Sequence, residues 1–392
     1  MSDFLLSPEI TFLNHGSYGA CPRAVIETQR AFQDELERNP IDFFNRKLET
    51  LLDAARVKLS AFVGCAPQDM VFVPNATTAV NTVISQWKLT AGDEVLVTQH
   101  AYNACTNAVR ATCERAGATM VLATPPFPIT NPQRVIDVVL AAVTSHTRYA
   151  MLDHVTSPTG LIFPVERLIP ALRERGVECL IDGAHVPGML PLDINTLGAA
   201  WYTGNLHKWL CTPKGSAFLH VRHDLQRTFR PLIVGHGANS SRTDKSRFQL
   251  DFDIIPTDDP TPFLCIPRAM EVMAAMHPDG WPGVMTANHA LALQGRDVLL
   301  KALGFVAPAP DDMLGSLAAI PLPDAHKPRG NEEEPLRERL YREHRIEVPI
   351  FSWPNPKGRV LRISAQRYNR LEQYEKLAKV LPAMLEDRAH FN

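Results

Sequence analysis

The chain reads as an α/β protein: a mainly parallel sheet wrapped by helices in a large domain, followed by a smaller α+β C-terminal domain. Three observations predict this. Its 392 residues are enough for two domains with a substantial core. Short apolar runs alternate with amphipathic stretches over the first two-thirds, as parallel strands with crossover helices require. After about Pro267 the texture becomes mainly helical, then Pro-rich from Pro308 to Pro328.

The first strand is Val71-Phe72-Val73, and Asn75-Ala76-Thr77-Thr78 opens a helix reaching about Trp87. Runs 94–98, 119–123, 149–152, 178–181 and 217–221 are β-branched or apolar and short, as buried strands are. Between them, 102–116, 132–143 and 165–175 carry helical periodicity. Further on, 268–276 and 287–303 read as helices, 347–350 and 359–363 as strands, and 371–385 as a closing helix. The expected organisation is an N-terminal arm over 1–20 contributing to the active site, a large domain over 21–275 and a small domain over 276–392.

Charge excludes some functions. Forty basic and 42 acidic side chains give a formal net charge of −2, so nothing favours nucleic acid or an anionic membrane as partner. The start Met1-Ser2-Asp3-Phe4-Leu5-Leu6 lacks a basic region before its apolar residues, and no stretch has transmembrane length. Seven cysteines, an odd number without Cys-x-x-Cys spacing, suit reduced thiols in a cytoplasm better than a disulfide framework or a metal site.

The chemistry concentrates at strand ends. Asp182 closes the run Cys179-Leu180-Ile181, and Lys208 lies in Gly204-Asn205-Leu206-His207-Lys208-Trp209. A lysine can form an imine with an aldehyde, and a buried carboxylate can keep a pyridine nitrogen protonated. An enzyme using pyridoxal phosphate needs both. Around them stand groups that suit such a cofactor. The amides and hydroxyls of Ala76 and Thr77 open a helix and can cradle a phosphate, with His207 as a further donor. His100 and Tyr102 follow a strand end, where a ring can stack on the pyridine. Ala184 is small enough for the opposite face, and His185 and Ser157 can reach the ring oxygen. Arg362, inside Leu361-Arg362-Ile363, can hold an amino-acid carboxylate with two parallel hydrogen bonds.

The joint order Asn75–Thr78, His100, His154–Gly160, Asp182–His185, His207-Lys208 and Arg362 resembles the class V aminotransferase and cysteine desulfurase family, pyridoxal-phosphate enzymes of fold type I. Phe12-Leu13-Asn14-His15-Gly16-Ser17-Tyr18-Gly19 and Gly204–Leu210 are similar to the isopenicillin N epimerase branch, with its hercynylcysteine sulfoxide lyases and cysteine carbon–sulfur lyases. The resemblance implies Lys208 as the lysine carrying pyridoxal 5'-phosphate, Asp182 as the pyridine partner, and Arg362 with Asn14 at the substrate. It implies a homodimer in which Thr257 reaches the neighbouring subunit's phosphate. Two positions depart from the pattern. Asn205 stands where desulfurases carry a phosphate-binding serine, and Pro256-Thr257 stands where the family often reads Gly-Thr.

The resemblance implies an enzyme that removes the α-proton of a small-molecule amino-acid substrate. Most simply this leads to β-elimination from a cysteine derivative, which needs only a base and a leaving group. The alternatives are an epimerase, with His15 or Tyr102 as a second acid, and ordinary transamination. No cysteine lies between Cys265 and Arg362, which argues against the persulfide route. Lys208, Asp182 and Arg362 together argue against a non-catalytic scaffold.

Overall fold

The computed structural model describes residues 3–254, 257–324, 335–354 and 358–386. Its centre is a seven-stranded sheet made of β1 (Met70–Val73), β2 (Glu94–Thr98), β3 (Thr119–Ala123), β4 (Thr147–Asp153), β5 (Glu178–Asp182), β6 (Trp201–Asn205) and β7 (Ala217–Val221), in the order β1-β7-β6-β5-β4-β2-β3. The pairs from β3 through β6 are parallel, while β7 runs antiparallel to both β6 and β1. The sheet is therefore mainly parallel, as the sequence predicts.

Period-two alternation divides each strand between two cores. Val71, Val95, Val97, Met151, Leu180 and Leu219 join one cluster, with the helices α1 (Ala76–Ile84) and α2 (Asn103–Ala116). Phe72, Leu96, Leu152, Ile181, Tyr202 and Phe218 join the other, with α3 (Gln133–Ala141) and α4 (Val165–Arg173). Each fully buried Val, Leu or Ile contributes roughly 1.5–3 kcal/mol relative to exposure, so both faces are strongly specified.

The smaller unit pairs β8 (Leu317–Leu322), β9 (Ile350–Ser352) and β10 (Arg359–Ser364) as an antiparallel sheet in the order β9-β10-β8. The helices α5 (Gly280–Leu303) and α6 (Leu371–Glu386) pack on each other; α5 packs on this sheet, and the Tyr374 hydroxyl of α6 donates to the Ser364 carbonyl at the end of β10. The N-terminal arm joins it too, with Thr11–Phe12 pairing in parallel with Ile346–Glu347.

Several elements differ from the sequence reading. β6 was not foreseen, because Gly204 and Asn205 are poor strand formers; all five of its residues are nevertheless buried, and tertiary packing overrides propensity. The expected strand 347–350 is split, since Pro349 has no N–H to donate to a ladder. The Pro-rich stretch contains β8, whose Pro321 is tolerated on an edge strand; its residues 325–328 lie outside the described residues. The helix expected over 268–276 spans Ile266–Ala274, and that expected over 287–303 starts at Gly280.

Candidate active site

The strands β4, β5 and β6 end at Asp153, Asp182 and Asn205. Ligands of open α/β sheets collect beyond such carboxyl ends. Here a cavity of about 370 Å³ opens there, and residues from the N-terminal arm, the helix start at Ala76 and β10 complete its wall.

Lys208 follows β6 and faces the cavity. Its Nζ lies 3.2 Å from His185 Nε2. Burial pushes the amine down to about 7, Arg362 acts in the same direction, and Asp182 opposes both. At neutral pH a large fraction of Lys208 is therefore the free base. His185 is buried and held well below the usual imidazole range by burial and by Lys208. It is neutral, and its Nδ1 is buried without a hydrogen-bond partner among the described residues.

Asp182 accepts from the Ala184 amide at 2.9 Å and from Cys105 Sγ at 3.6 Å. Burial raises its carboxyl, while the Ala184 amide and Lys208 lower it. Beside it, Asp153 is raised well above the carboxylate range by burial and by the charge of Asp182. The two are register partners on β4 and β5. The sequence reading missed Asp153, although it closes an apolar run just as Asp182 does.

Anion donors line one end of the cavity. Asn75 caps α1, its Oδ1 accepting from Thr78 N at 2.8 Å. The Ala76 amide donates to Asn205 Oδ1 at 2.9 Å, so it is already occupied. Between them, the Thr77 amide stands at the positive end of the helix, where orphan N–H groups attract an anion. His207 lines the same wall, and its Nδ1 is buried without a partner among the described residues. Burial lowers this imidazole to about 4, with Lys208 adding to the effect.

Arg362, on β10, is 1 % exposed. One guanidinium nitrogen donates to the Ser157 carbonyl, and the group lies 5.0 Å from the centre of the Phe351 ring. Its Nε has no partner among the described residues. Burial lowers it to about 10, so it stays cationic at neutral pH.

Other expected residues are sorted by the structure. Tyr102 lines the cavity with Ala184 and Ser157, whereas His100 does not. Both ring nitrogens of His100 are engaged, by Thr159 Oγ1 and the Pro125 carbonyl at 2.8 Å each. His15 is a correction to the expected second acid. It is fully buried behind Lys208, with Nε2 at 2.9 Å from the Lys208 carbonyl and Nδ1 at 2.8 Å from the Tyr368 hydroxyl. Burial lowers it to about 3, so it is a neutral ring clamping the Lys208 backbone. Asn14 is likewise outside the cavity, donating to Glu347 Oε1 at 3.2 Å and accepting from Ser17. Gly16, Ser17 and Tyr18 of the same segment do line it. Thr257 is exposed and borders a separate cavity with Phe44, Leu48, Phe72 and Phe263; Pro256 lies outside the described residues. Among the described residues, no cluster of His, Cys, Asp or Glu is arranged to hold a metal ion.

Orphaned buried nitrogens at one end, a free amine in the middle and an acid beneath form a donor set that fits a phosphorylated pyridine aldehyde. Comparisons with known proteins agree. Residues 13–250 match the Aminotransferase class-V family. The chain is 33 % identical to the isopenicillin N epimerase of Amycolatopsis lactamdurans, over 96 % of this chain and 95 % of that protein. It is 29 % identical to an L-cysteine desulfhydrase of Arabidopsis thaliana, over 96 % and 88 %. Among solved structures, the cystine C-S lyase C-DES in complex with cysteine persulfide shares the fold, with a TM-score of 0.77 at 20 % identity over 97 % and 98 % of the two chains. A variant of that protein carries glycine covalently linked to its PLP cofactor.

Proposed function

The chain belongs to the class-V aminotransferase family and uses pyridoxal 5'-phosphate; within that frame we propose that it is a carbon–sulfur lyase acting on a cysteine derivative by β-elimination. When bound, the cofactor supplies an aldehyde for a covalent link to Lys208 and an electron sink for charge developing at the substrate Cα. Lys208 would carry it, with Asp182 holding the proton on its ring nitrogen. The Tyr102 ring and Ala184 would flank it, while His185 and Ser157 would face its ring oxygen. The Thr77 amide, Asn205 and His207 would take its phosphate.

The observation that carries the reading is the pairing, in one cavity, of Lys208, whose amine burial pushes down to about 7, with a buried cationic Arg362. Arg362 holds the substrate carboxylate and thereby turns Cα–H toward the wall that bears Lys208. Lys208 Nζ takes the α-proton. The electron pair left at Cα then expels sulfur from Cβ, and the leaving thiolate takes up a proton. Hydrolysis of the remaining three-carbon fragment gives pyruvate and ammonia. All seven cysteines are buried and none lines the cavity, so no thiol stands ready to accept sulfur as a persulfide.

A second reading, epimerisation, is favoured by the Amycolatopsis relative. It needs a proton donor apart from Lys208. Tyr102 meets that need better than His15, because burial holds its hydroxyl protonated and it lines the cavity. One assay separates the two. A panel of cysteine derivatives is followed for pyruvate, ammonia and solvent deuterium at Cα. Pyruvate and ammonia together support the lyase. Deuterium incorporation with inversion and no release overturns it in favour of the epimerase.

The assembly we propose is a homodimer with shared active sites. It is supported by exposed Thr257 beside a cavity of about 310 Å³ and by the exposed apolar run Leu232-Ile233-Val234. The buried free thiols support a reducing compartment such as the cytoplasm. Among the described residues, no helix is long and apolar enough to cross a membrane.

A further inference from the structure

We propose that Tyr368 and His15 are positioning residues for Lys208. The Tyr368 hydroxyl fixes the tautomer of His15, and His15 holds the Lys208 main chain so that one amine serves both the cofactor and the substrate Cα. The proposal rests on the reading of Lys208 as cofactor carrier and base.

The hydrogen bonds around His15 decide which ring nitrogen carries the hydrogen. The Ala20 amide lies 3.3 Å from Nδ1 and can only donate, so Nδ1 is an acceptor. The Tyr368 hydroxyl stands 2.8 Å from the same nitrogen. Burial keeps that hydroxyl protonated, and it donates too. Nε2 then bears the hydrogen and donates to the Lys208 carbonyl at 2.9 Å. The other tautomer would set a lone pair against that carbonyl and a ring hydrogen against the Ala20 amide. Gln366 Nε2 also approaches Nε2, at 3.4 Å, and has Cys211 Sγ at 3.5 Å to donate to instead.

The main chain held in this way needs holding. The Lys208 carbonyl accepts a second time, from the Cys211 amide at 3.0 Å, closing a turn whose Cys211 has a φ of 61°. A residue with a Cβ keeps that left-handed conformation only where its surroundings impose it. The N-terminal arm imposes it at three points. His15 is the first. Gly19, with a φ of 71°, lies so close to the His207 carbonyl that no Cβ would fit. Lys214 Nζ donates to the Gly19 carbonyl at 2.8 Å. The Trp209 ring, next to Lys208, is met edge-on by His15 at 5.3 Å and by His185 at 5.4 Å. His185 in turn touches Lys208 Nζ, so one rigid spacer joins the backbone clamp to the amine.

The next residue of the arm faces the substrate's other anchor. Gly16 packs on Arg362, and a Cβ there would stand 3.2 Å from Nη2. This end has its own fastening. The Gly16 amide donates to Ser364 Oγ at 3.1 Å, and the Ser364 amide donates to the Leu13 carbonyl at 2.9 Å. Loosening His15 therefore frees Lys208 and leaves Arg362 in place. Proton removal suffers, and substrate binding does not.

The test uses cofactor-loaded protein and three variants: Tyr368→Phe, His15→Leu and His15→Gln. Glutamine sets its Nε2 where the imidazole Nε2 stands and keeps the donor to Lys208, whereas leucine removes it. The first readout needs no substrate. It is the pH midpoint of the visible band of the cofactor linked to Lys208, which responds to how freely the lysine aligns with the ring. The midpoint should move by about half a pH unit or more in Tyr368→Phe and His15→Leu, and by less in His15→Gln. The second readout is turnover of S-methyl-L-cysteine, scored as pyruvate plus deuterium gained at Cα from heavy water, so it counts proton removal whichever reaction follows. kcat should fall about fivefold in Tyr368→Phe and roughly a hundredfold in His15→Leu. His15→Gln should recover to within about threefold of the unmodified protein, with KM within about twofold throughout. Thermal melting identifies a variant that does not fold; should His15→Leu be one, Tyr368→Phe, which retains its ring, carries the test alone. Should S-methyl-L-cysteine not be turned over, the midpoint decides alone. Unchanged kcat and midpoint in folded variants overturn the proposal. Equal losses in His15→Leu and His15→Gln, or a rise in KM matching the fall in kcat, do the same. Borohydride labelling of a different lysine overturns the reading of Lys208 instead. A label on Lys208 with both readouts insensitive to Tyr368 and His15 overturns the positioning role alone.

Discussion

Arg362→Lys is the substitution that most sharply tests how substrate is held. Arg362 is a fully buried cation whose one side-chain hydrogen bond among the described residues goes to a neutral carbonyl, that of Ser157. Among the described residues no carboxylate pairs with it, so the protein alone bears its desolvation and an incoming carboxylate recovers it. The planar guanidinium can keep its bond to Ser157 and still direct a two-bond fork into the cavity. Lysine keeps the charge but has a single nitrogen, which must choose between Ser157 and substrate. Truncating one partner of a buried charge pair costs about 2–5 kcal/mol, and retention of charge places this change near the lower end. About 2 kcal/mol corresponds to a loss of roughly thirtyfold. The assay is steady-state kinetics of pyruvate release from S-substituted cysteines, with circular dichroism as the check on folding. KM should rise by that factor with kcat much less affected. An unchanged KM in a folded variant would show that the carboxylate binds elsewhere.

Four further outcomes follow from the same geometry. Borohydride reduction of the yellow holoprotein, then digestion and mass spectrometry, should place the cofactor on the peptide containing Lys208; a label on any other lysine removes its assignment. Asp182→Ala should still take up cofactor on Lys208, yet α-deuterium exchange should fall by orders of magnitude because the ring nitrogen loses the carboxylate that keeps it protonated. Burial holds the free Lys208 amine near 7, so once substrate has released it from the cofactor it loses its role as base when protonated below that value; kcat should fall about tenfold per pH unit there, and a flat kcat profile down to pH 5 would contradict it. Mixing inactive Lys208→Ala protein with an inactive Thr257→Trp variant should restore activity in one of the two sites of a mixed dimer, whereas active monomers in sedimentation would end the shared-site proposal.

Much of the site was legible because its residues stand where apolar runs stop. Asp182 and Lys208 show against Cys179-Leu180-Ile181 and Trp209-Leu210, and Arg362 stands out as a charge inside an otherwise apolar strand. Burial then converts these exceptions into chemistry. What stayed hidden depends on distance across the chain. His15, in an Asn-His-Gly motif, looks as reactive as any histidine, and only the fold turns it away to clamp the Lys208 backbone. His100 and Tyr102 are two residues apart, and the turn before α2 sends one into the core and the other to the cavity. The strand β6 escaped because its Gly204 and Asn205 answer to packing and to the Ala76 amide, not to strand propensity.

Asp153 shows the same point in its sharpest form. It and Asp182 end adjacent parallel strands in register, so two carboxyls face one small buried space. Like charges that close cannot both ionise, and burial penalises the second charge further. Which of the two keeps the proton follows from their partners. Lys208 lowers both, but Asp182 accepts from the Ala184 amide and the Cys105 thiol, whereas Asp153 accepts from backbone amides alone, its Oδ2 has no partner among the described residues, and the charge of Asp182 raises it further. The negative charge therefore belongs to Asp182, and Asp153 carries the proton. A cationic ring nitrogen held there, as proposed, would meet one charge rather than two, and that charge sits at the strand end from which Ala184 and His185 extend along the cavity wall. The pairing that determines this lies across a parallel ladder, which is why a pass along the sequence finds one aspartate and overlooks the other.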